Sequence, residues 1–252
     1  MTEPLIKVRN IRKIYRMGSE RVVALDDVSL DIRRGEVTCF LGRSGSGKST
    51  FLNMVAGLEK PTRGEIFIGG IPVHRLSEGQ VTLFRQKNIG FIFQAFHLLP
   101  MMTAAENVSL PLIFRGVPKR RRKAMVKEAL GAVGLTGYDN RKPTQMSGGQ
   151  QQRVGIARAL AGNPKIIFAD EPTGNLDTNT TKEVMNLIIK QVKDHGQTLI
   201  IVTHDRSIAD FADRVVTIED GNILDIKEKV ENEKSGTGFT GGGDADDAAS
   251  GA

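Results

Sequence analysis

Apolar positions along the chain follow two different periods. Near the N-terminus Ile6, Val8 and Ile11 alternate with polar residues, and Val28, Leu30 and Ile32 do the same, which predicts short half-buried strands. Val37 to Leu41 reads as an apolar run and predicts a buried strand leading into a glycine-rich segment, after which Thr50 to Leu58 reads as a helix. Turn signals between Lys60 and Pro72 bracket a further strand at Glu65-Ile66-Phe67-Ile68. From Thr103 to Leu160 the pattern becomes helical, most clearly over Ala124 to Val133 and Gln150 to Ala161, so a largely helical insert is expected. Strands return at Ile166 to Ala169, Leu199 to Thr203 and Val215 to Glu219, with a helical stretch over Thr180 to Lys193. Strands alternating with helices predict an α/β fold around a buried parallel sheet.

Composition narrows the class without choosing a function. The 252 residues, 39% hydrophobic with 28 glycines, suit one large globular domain or two lobes. No stretch approaches 18 consecutive apolar residues, and Met1 to Asn10 lacks the long apolar segment of a signal peptide, so a soluble cytosolic chain is expected. The single cysteine, Cys39, rules out an intrachain disulfide and reads as a buried core thiol. The formal charge is +6; residues 235–252 contribute −3 through Asp244, Asp246 and Asp247, leaving +9 on residues 1–234. Such a body is drawn to anionic partners. The densest basic run, Lys119-Arg120-Arg121-Arg122-Lys123, reads as a solvated helix start or as a contact for lipid head groups or a partner. The Gly, Ala and Asp composition of residues 229–252 predicts a disordered tail. No repeat of 20 to 50 residues is visible.

The chemistry begins at Gly42-Arg43-Ser44-Gly45-Ser46-Gly47-Lys48-Ser49. The three glycines permit backbone conformations in which successive N–H groups turn inward around phosphate oxygens. Lys48 adds a point charge for the β and γ phosphates, Ser49 a hydroxyl for Mg²⁺, and Thr50 opens a helix whose positive end faces the anion. Downstream, Ile166 to Ala169 ends in Asp170-Glu171: Asp170 suits the magnesium site, and Glu171 is placed to orient and deprotonate an attacking water. No Asn-Lys-x-Asp guanine-reading motif occurs, which favours ATP. Ser147-Gly148-Gly149-Gln150 precedes a helical run and reads as a second phosphate-binding helix end, with Ser147 as its cap.

Over residues 4–226 the chain resembles the ATP-binding subunit of an ABC transporter. Gly42 to Ser49 is similar to that family's Walker A motif, Phe93-Gln94 to its Q-loop and Ser147 to Gln150 to its signature. Ile166 to Asp170 is similar to Walker B, Gly174-Asn175-Leu176-Asp177 to the D-loop, and Val202-Thr203-His204-Asp205 to the switch histidine. Two departures are mild: Met146 stands where the signature usually opens with Leu, and Arg43 where relatives often have Pro.

The resemblance implies a P-loop NTPase with a mainly parallel core sheet, an N-terminal antiparallel β subdomain and a helical subdomain at about residues 96–162, within an ATP-binding domain over 1–228. It implies that Tyr15 stacks on adenine, that Gln94 serves magnesium and coupling, that His204 contacts the γ-phosphate, and that Asp177, a helix N-cap, also acts across a dimer. Two chains would close head to tail, each ATP lying between one Walker A motif and the partner's Ser147 to Gln150.

Residues 96–108 and 171–177 look like cassettes of the macrolide-exporter and lipoprotein-releasing branch, with the cell-division cassette a close relative. The resemblance therefore implies a homodimeric ATPase at the cytoplasmic face of the membrane that drives integral-membrane permease subunits in export or extraction. The alternative is a regulatory cassette of a membrane complex without transport. Nucleic acid is not an expected partner: chromosome-maintenance ATPases insert a long coiled coil between the two glycine motifs, and only 96 residues separate Thr50 from Ser147 here.

Overall fold

A computed structural model of the chain describes residues 3–229. Two long strands open the fold, β1 (Ile6–Met17) and β2 (Glu20–Ile32), paired antiparallel with register shifts between Val8 and Ile14. They extend well beyond the short apolar segments, because their outer halves are held by backbone pairing while β2 is exposed from Glu20 to Val23. Next come β3 (Val37–Leu41) and α1 (Lys48–Val55), then β4 (Arg63–Ile68) and β5 (Ile71–Pro72). The order β2-β1-β4-β5 makes a four-stranded antiparallel sheet. Helix α1 starts two residues earlier than its apolar pattern and stops three residues sooner. Gly47, at φ 101°, caps its start, and Gly57, at φ 68°, follows its end.

Helix α2 (Glu78–Asn88) begins at a capping box formed by Ser77 and Gln80 and runs into β6 (Ile89–Phe93). Three helices follow before the sheet resumes: α3 (Ala104–Phe114), α4 (Lys119–Ala132) and α5 (Gly148–Leu160), the expected helical insert. The chain returns through β7 (Ile166–Asp170), α6 (Thr178–Asp194), β8 (Thr198–Thr203), α7 (Arg206–Ala209), β9 (Arg214–Glu219) and β10 (Asn222–Glu228). The six-stranded sheet has the order β10-β9-β3-β8-β7-β6; all its pairs are parallel except β10 on β9 at one edge.

Both faces of this sheet are covered, which is why its strands read as apolar runs rather than as alternation. Phe40, Ile166, Phe168, Ile200 and Val202 face α1 and the antiparallel sheet, together with Phe51, Ile6 and Ile66. Cys39, Ile167, Ala169, Leu199 and Ile201 point the other way, into a core shared with α3, α5 and α6. Thr38, the polar residue within the β3 run, is fully buried and donates from Oγ1 to Glu36 Oε1 at 2.8 Å. Cys39 is the buried core thiol expected, and burial pushes its pKa up to about 12. The tail expected over 229–252 lies, apart from residue 229, outside the described residues.

Candidate active site

Parallel strands collect their C-terminal ends on one rim, where open α/β sheets bind ligands. Leu41 pairs with Thr203, Asp170 with Val202, and Phe93 with Asp170. The residues that follow, Gly42, Gln94, Glu171 and His204, therefore emerge side by side. All four line a cavity of about 1170 Å³, along with the loop from Arg43 through Thr50 and Asp170.

The loop is shaped by contacts that only glycine allows. A Cβ on Gly42 would strike the Ile218 carbonyl, and one on Gly47, at φ 101°, would strike the Ala24 carbonyl. Lys48 is almost fully buried and arches back over the loop, donating from Nζ to the Arg43 carbonyl at 2.7 Å and lying 3.5 Å from Ser46 Oγ. Burial lowers its pKa, against the opposing pull of Glu171 and Asp170. This ammonium is held by neutral oxygens and faces two carboxylates, so an entering phosphate would meet a cation already stripped of water.

Burial raises the pKa of Asp170, helped by the charge of Glu171, while a hydrogen bond from Ser49 and the charge of Lys48 act the other way. A carboxylate beside a hydroxyl is a hard oxygen donor pair suited to Mg²⁺, which is held by one or two carboxylates and the substrate's phosphates. Among the described residues no cluster of three or more His, Cys, Asp or Glu forms a self-sufficient metal cage. The residues therefore fit a magnesium ion that arrives with nucleotide, with Ser49 and Asp170 as its protein ligands and Gln94 nearby on the cavity wall.

Glu171 sits at φ 46°, a conformation that a residue with a side chain rarely adopts and that tends to mark a functional site. The turn folds its carboxylate back onto β8. Oε2 accepts from Thr203 Oγ1 at 3.0 Å, while Oε1 accepts from the His204 backbone N at 3.1 Å and lies 2.7 Å from His204 Nδ1. The Glu171 side chain is 18% exposed and that of His204 64%. The carboxylate is thus sheltered and aimed, and the imidazole remains open to a ligand.

Three predicted elements lie apart from the cavity wall. Ser147 Oγ accepts from Gln150 N at 3.3 Å, Gln150 Oε1 accepts from Ser147 N at 3.0 Å, and this capped end of α5 is exposed at Ser147 and Gly148. Gly148 has room for a Cβ, whereas one on Gly149 would press on the Thr180 methyl at 2.9 Å, so Gly149 also serves the close approach of α5 to α6. Asp177 caps α6 by accepting from Asn179 N and Thr180 N, both at 3.1 Å. Tyr15 is absent from the cavity lining; its hydroxyl donates to Glu59 Oε2 at 2.7 Å, and Lys13 Nζ sits 5.0 Å from its ring centre.

Helix α5 is nevertheless tied to the cavity. Gln152, fully buried, donates to the Pro172 carbonyl just after Glu171, and Arg158 donates to the carbonyls of Phe96 and His97, at 2.7 and 2.5 Å, just after Gln94. Asn175 closes the circuit by donating to the Gln94 carbonyl at 3.0 Å. Sequence reasoning did not assign Arg206, Ala24, Thr217 to Asp220 or Leu224 to the site, yet all line the cavity. They come from β2, α7 and the β9–β10 edge, and no local motif announces them.

Comparison with known proteins agrees with this geometry. The ABC transporter family profile matches residues 25–174. The ABC transporter ATP-binding protein MJ0796 of Methanocaldococcus jannaschii is 48% identical over 225 residues, covering 87% of this chain and 95% of that protein. The macrolide export ATP-binding/permease protein MacB of Vibrio parahaemolyticus is 43% identical over 224 residues, covering 89% of this chain but 34% of MacB. A solved dimeric structure of MJ0796 in a post-hydrolysis state, bound to ADP and Pi, superposes with a TM-score of 0.82 at 44% identity, covering 88% of this chain and 98% of that one.

Proposed function

The chain belongs to the ABC transporter family as an ATP-binding subunit and is an ATPase, and we propose that it works as a homodimer driving integral-membrane permease subunits in export or extraction. The observation that carries the dimer is the separation of two phosphate-facing elements. The cavity holds Lys48, Asp170, Glu171 and His204, whereas the Ser147 end of α5 is exposed and outside its wall. A second copy in head-to-tail contact would bring its own Ser147 to Gln150 over this cavity. The dimeric MJ0796 structures support that reading.

In this site Lys48 and the backbone N–H groups of Gly45 to Ser49 bind the phosphates of ATP. Ser49, Asp170 and Gln94 would hold Mg²⁺, which would supply charge neutralisation on the phosphates. Glu171, aimed by Thr203 and His204, accepts the proton of the attacking water, and His204 contacts the γ-phosphate. Tyr15 is the proposed platform for adenine; stacking uses a ring face and leaves its hydroxyl bond to Glu59 in place. Asp177 caps α6 and faces the partner.

The permease reading draws on MacB, whose name joins ATP binding to a permease and of which this chain matches about a third. Exposed Leu99 and Met101, in the segment that follows Gln94, offer apolar contacts. A permease seated there would feel the ATP site through Gln94. The location that follows is peripheral, on the cytoplasmic side of the membrane.

Glu171→Gln tests the core of this reading. We expect ATP binding to persist while hydrolysis falls ~10² to 10⁴-fold, the typical worth of a general base. Gel filtration with ATP should then show a doubled mass; an ATP-bound variant that stays monomeric overturns the head-to-tail site. Copurification with a membrane protein supports the permease role. A partner with a division or wall-hydrolase phenotype and no transport would favour the regulatory cassette instead.

A further inference from the structure

The corner between α3 and α4 carries charge that the ATP site does not use. Between Asn107 and Lys127 the sequence contains no Asp or Glu, but Arg115, Lys119, Arg120, Arg121, Arg122, Lys123 and Lys127. Arg115 is spent internally, donating to the carbonyls of Gly162 and Lys87, and Arg122 donates to the Val117 carbonyl at 3.0 Å. Lys119, Arg120, Arg121, Lys123 and Lys127 are exposed and take part in no ion pair among the described residues. This concentration lies at a helix N-terminus, where the macrodipole disfavours cations and acidic residues are the usual choice; none is present in the first turn of α4. The placement costs folding stability, so its use lies outside the chain.

Apolar surface adjoins the charge. Phe114 is 67% exposed and Ile113 44% exposed at the end of α3. The connector then doubles back, with Gly116 N donating to the Ile113 carbonyl at 2.9 Å and Val117 N to the Leu112 carbonyl at 3.0 Å. The last turn of α3 and the first turn of α4 therefore form one corner, with an aromatic tip beside a row of cations. An aromatic that enters the headgroup boundary, flanked by cations that meet lipid phosphates, is the composition of an interfacial membrane contact.

We propose that this corner binds anionic phospholipid headgroups directly, giving the cassette a membrane contact of its own beside any permease. The inference rests on the reading that the cassette works at a membrane, but its contact needs neither nucleotide nor permease. Each cation near an anionic surface strengthens binding about fivefold at low salt, so four acting together bring a weakly binding body to a bilayer.

The test is vesicle sedimentation with the purified full chain and no permease. Binding should be clear with vesicles of 30 mol% phosphatidylglycerol in phosphatidylcholine, absent with phosphatidylcholine alone, and lost as salt rises. The variant Lys119→Gln/Arg120→Gln/Arg121→Gln/Lys123→Gln should bind about a hundredfold or more weakly. A charge-matched control, Arg34→Gln/Lys165→Gln/Lys182→Gln/Lys190→Gln, changes exposed cations elsewhere and should lose far less. Phe114→Ser should weaken binding with the charge intact. Equal losses in the two quadruple variants would overturn the site in favour of net charge. Vesicle binding unaffected by the α4 substitutions, with copurification of a membrane protein lost, would overturn it in favour of a protein contact. ATPase activity and the ATP-driven dimer of Glu171→Gln, measured alongside, report on the proposed function separately.

Discussion

Two helix starts in this chain can face a phosphate, and they are built in opposite ways. The loop into α1 is closed in on itself: Lys48 is buried over its own backbone, Gly42 and Gly47 admit neighbouring carbonyls, and Asp170 and Glu171 stand across the cavity. The start of α5 is open, with the N–H groups of Gln150 and Ser147 bonded reciprocally through the capping box and the end outside the wall of the ATP cavity. A self-contained site organises its charges before the ligand arrives, whereas a half-site satisfies its donors locally and waits. Under the proposed function, the difference separates the loop that binds nucleotide within its own chain from the one that acts on nucleotide held by a partner. Gln152 and Arg158 connect α5 to the loops after Glu171 and Gln94, which gives the open end a hydrogen-bonded link to the closed one.

Substituting the buried cation is the harshest way to break this comparison. Lys48→Ala removes a desolvated charge-assisted contact and should weaken ATP binding by about 10- to 100-fold, the range for hydrogen bonds to charged groups. Calorimetric titration of dilute protein measures it. Unchanged affinity would mean that the backbone alone holds the phosphates and that Lys48 is a structural brace.

Asp170 sharpens the contrast from the side of stability. Its folded pKa lies above the ordinary value of 3.8, chiefly through burial and then through the Glu171 charge. For a carboxyl group this sign means that the ligand-free protein is penalised once Asp170 ionises: the penalty is full above the raised pKa and vanishes below the ordinary one. Asp170→Asn should therefore raise the melting temperature at neutral pH by up to a few degrees. That gain should shrink as pH falls through the raised pKa, while Mg²⁺-dependent hydrolysis is lost at every pH. A variant less stable than the parent at neutral pH would show that Asp170 supports the fold rather than burdening it.

How far the sequence foretold these two regions follows from what holds each element. Ile166 to Ala169 and Leu199 to Thr203 were legible because both sheet faces are covered and every residue there must suit an interior. The strand Asn222–Glu228 was not, since its side chains are almost all exposed and only its pairing to β9 makes it a strand. Helix α2 buries Val81 alone, so no apolar face announces it, and its Ser77/Gln80 capping box emerged only with the structure. At the site, the glycine loop, Asp170 and Ser147 stand in local motifs. The left-handed turn at Glu171 that delivers its carboxylate to Thr203 and His204 does not, because it is fixed by a neighbouring strand 32 residues away. The same holds for Arg206 on the cavity wall.

The smallest expected effect comes from the open helix end. Ser147→Ala removes the side-chain acceptor for Gln150 N but keeps the backbone N–H that donates to Gln150 Oε1, and the lost half of the cap is worth about 1 kcal/mol. For a chain of this size that lowers the melting temperature by about 2 to 4 °C. In dilute, monomeric protein the ATP affinity should not change, because Ser147 is no part of the cavity wall. In the Glu171→Gln background the same substitution should raise the protein concentration needed for the ATP-bound dimer, since the partner's phosphate then meets a helix end without its hydroxyl. If Ser147→Ala instead lowers the monomer's ATP affinity as much as Lys48→Ala does, both helix starts serve one nucleotide within one chain. The contrast between a closed site and a waiting half-site would then fail.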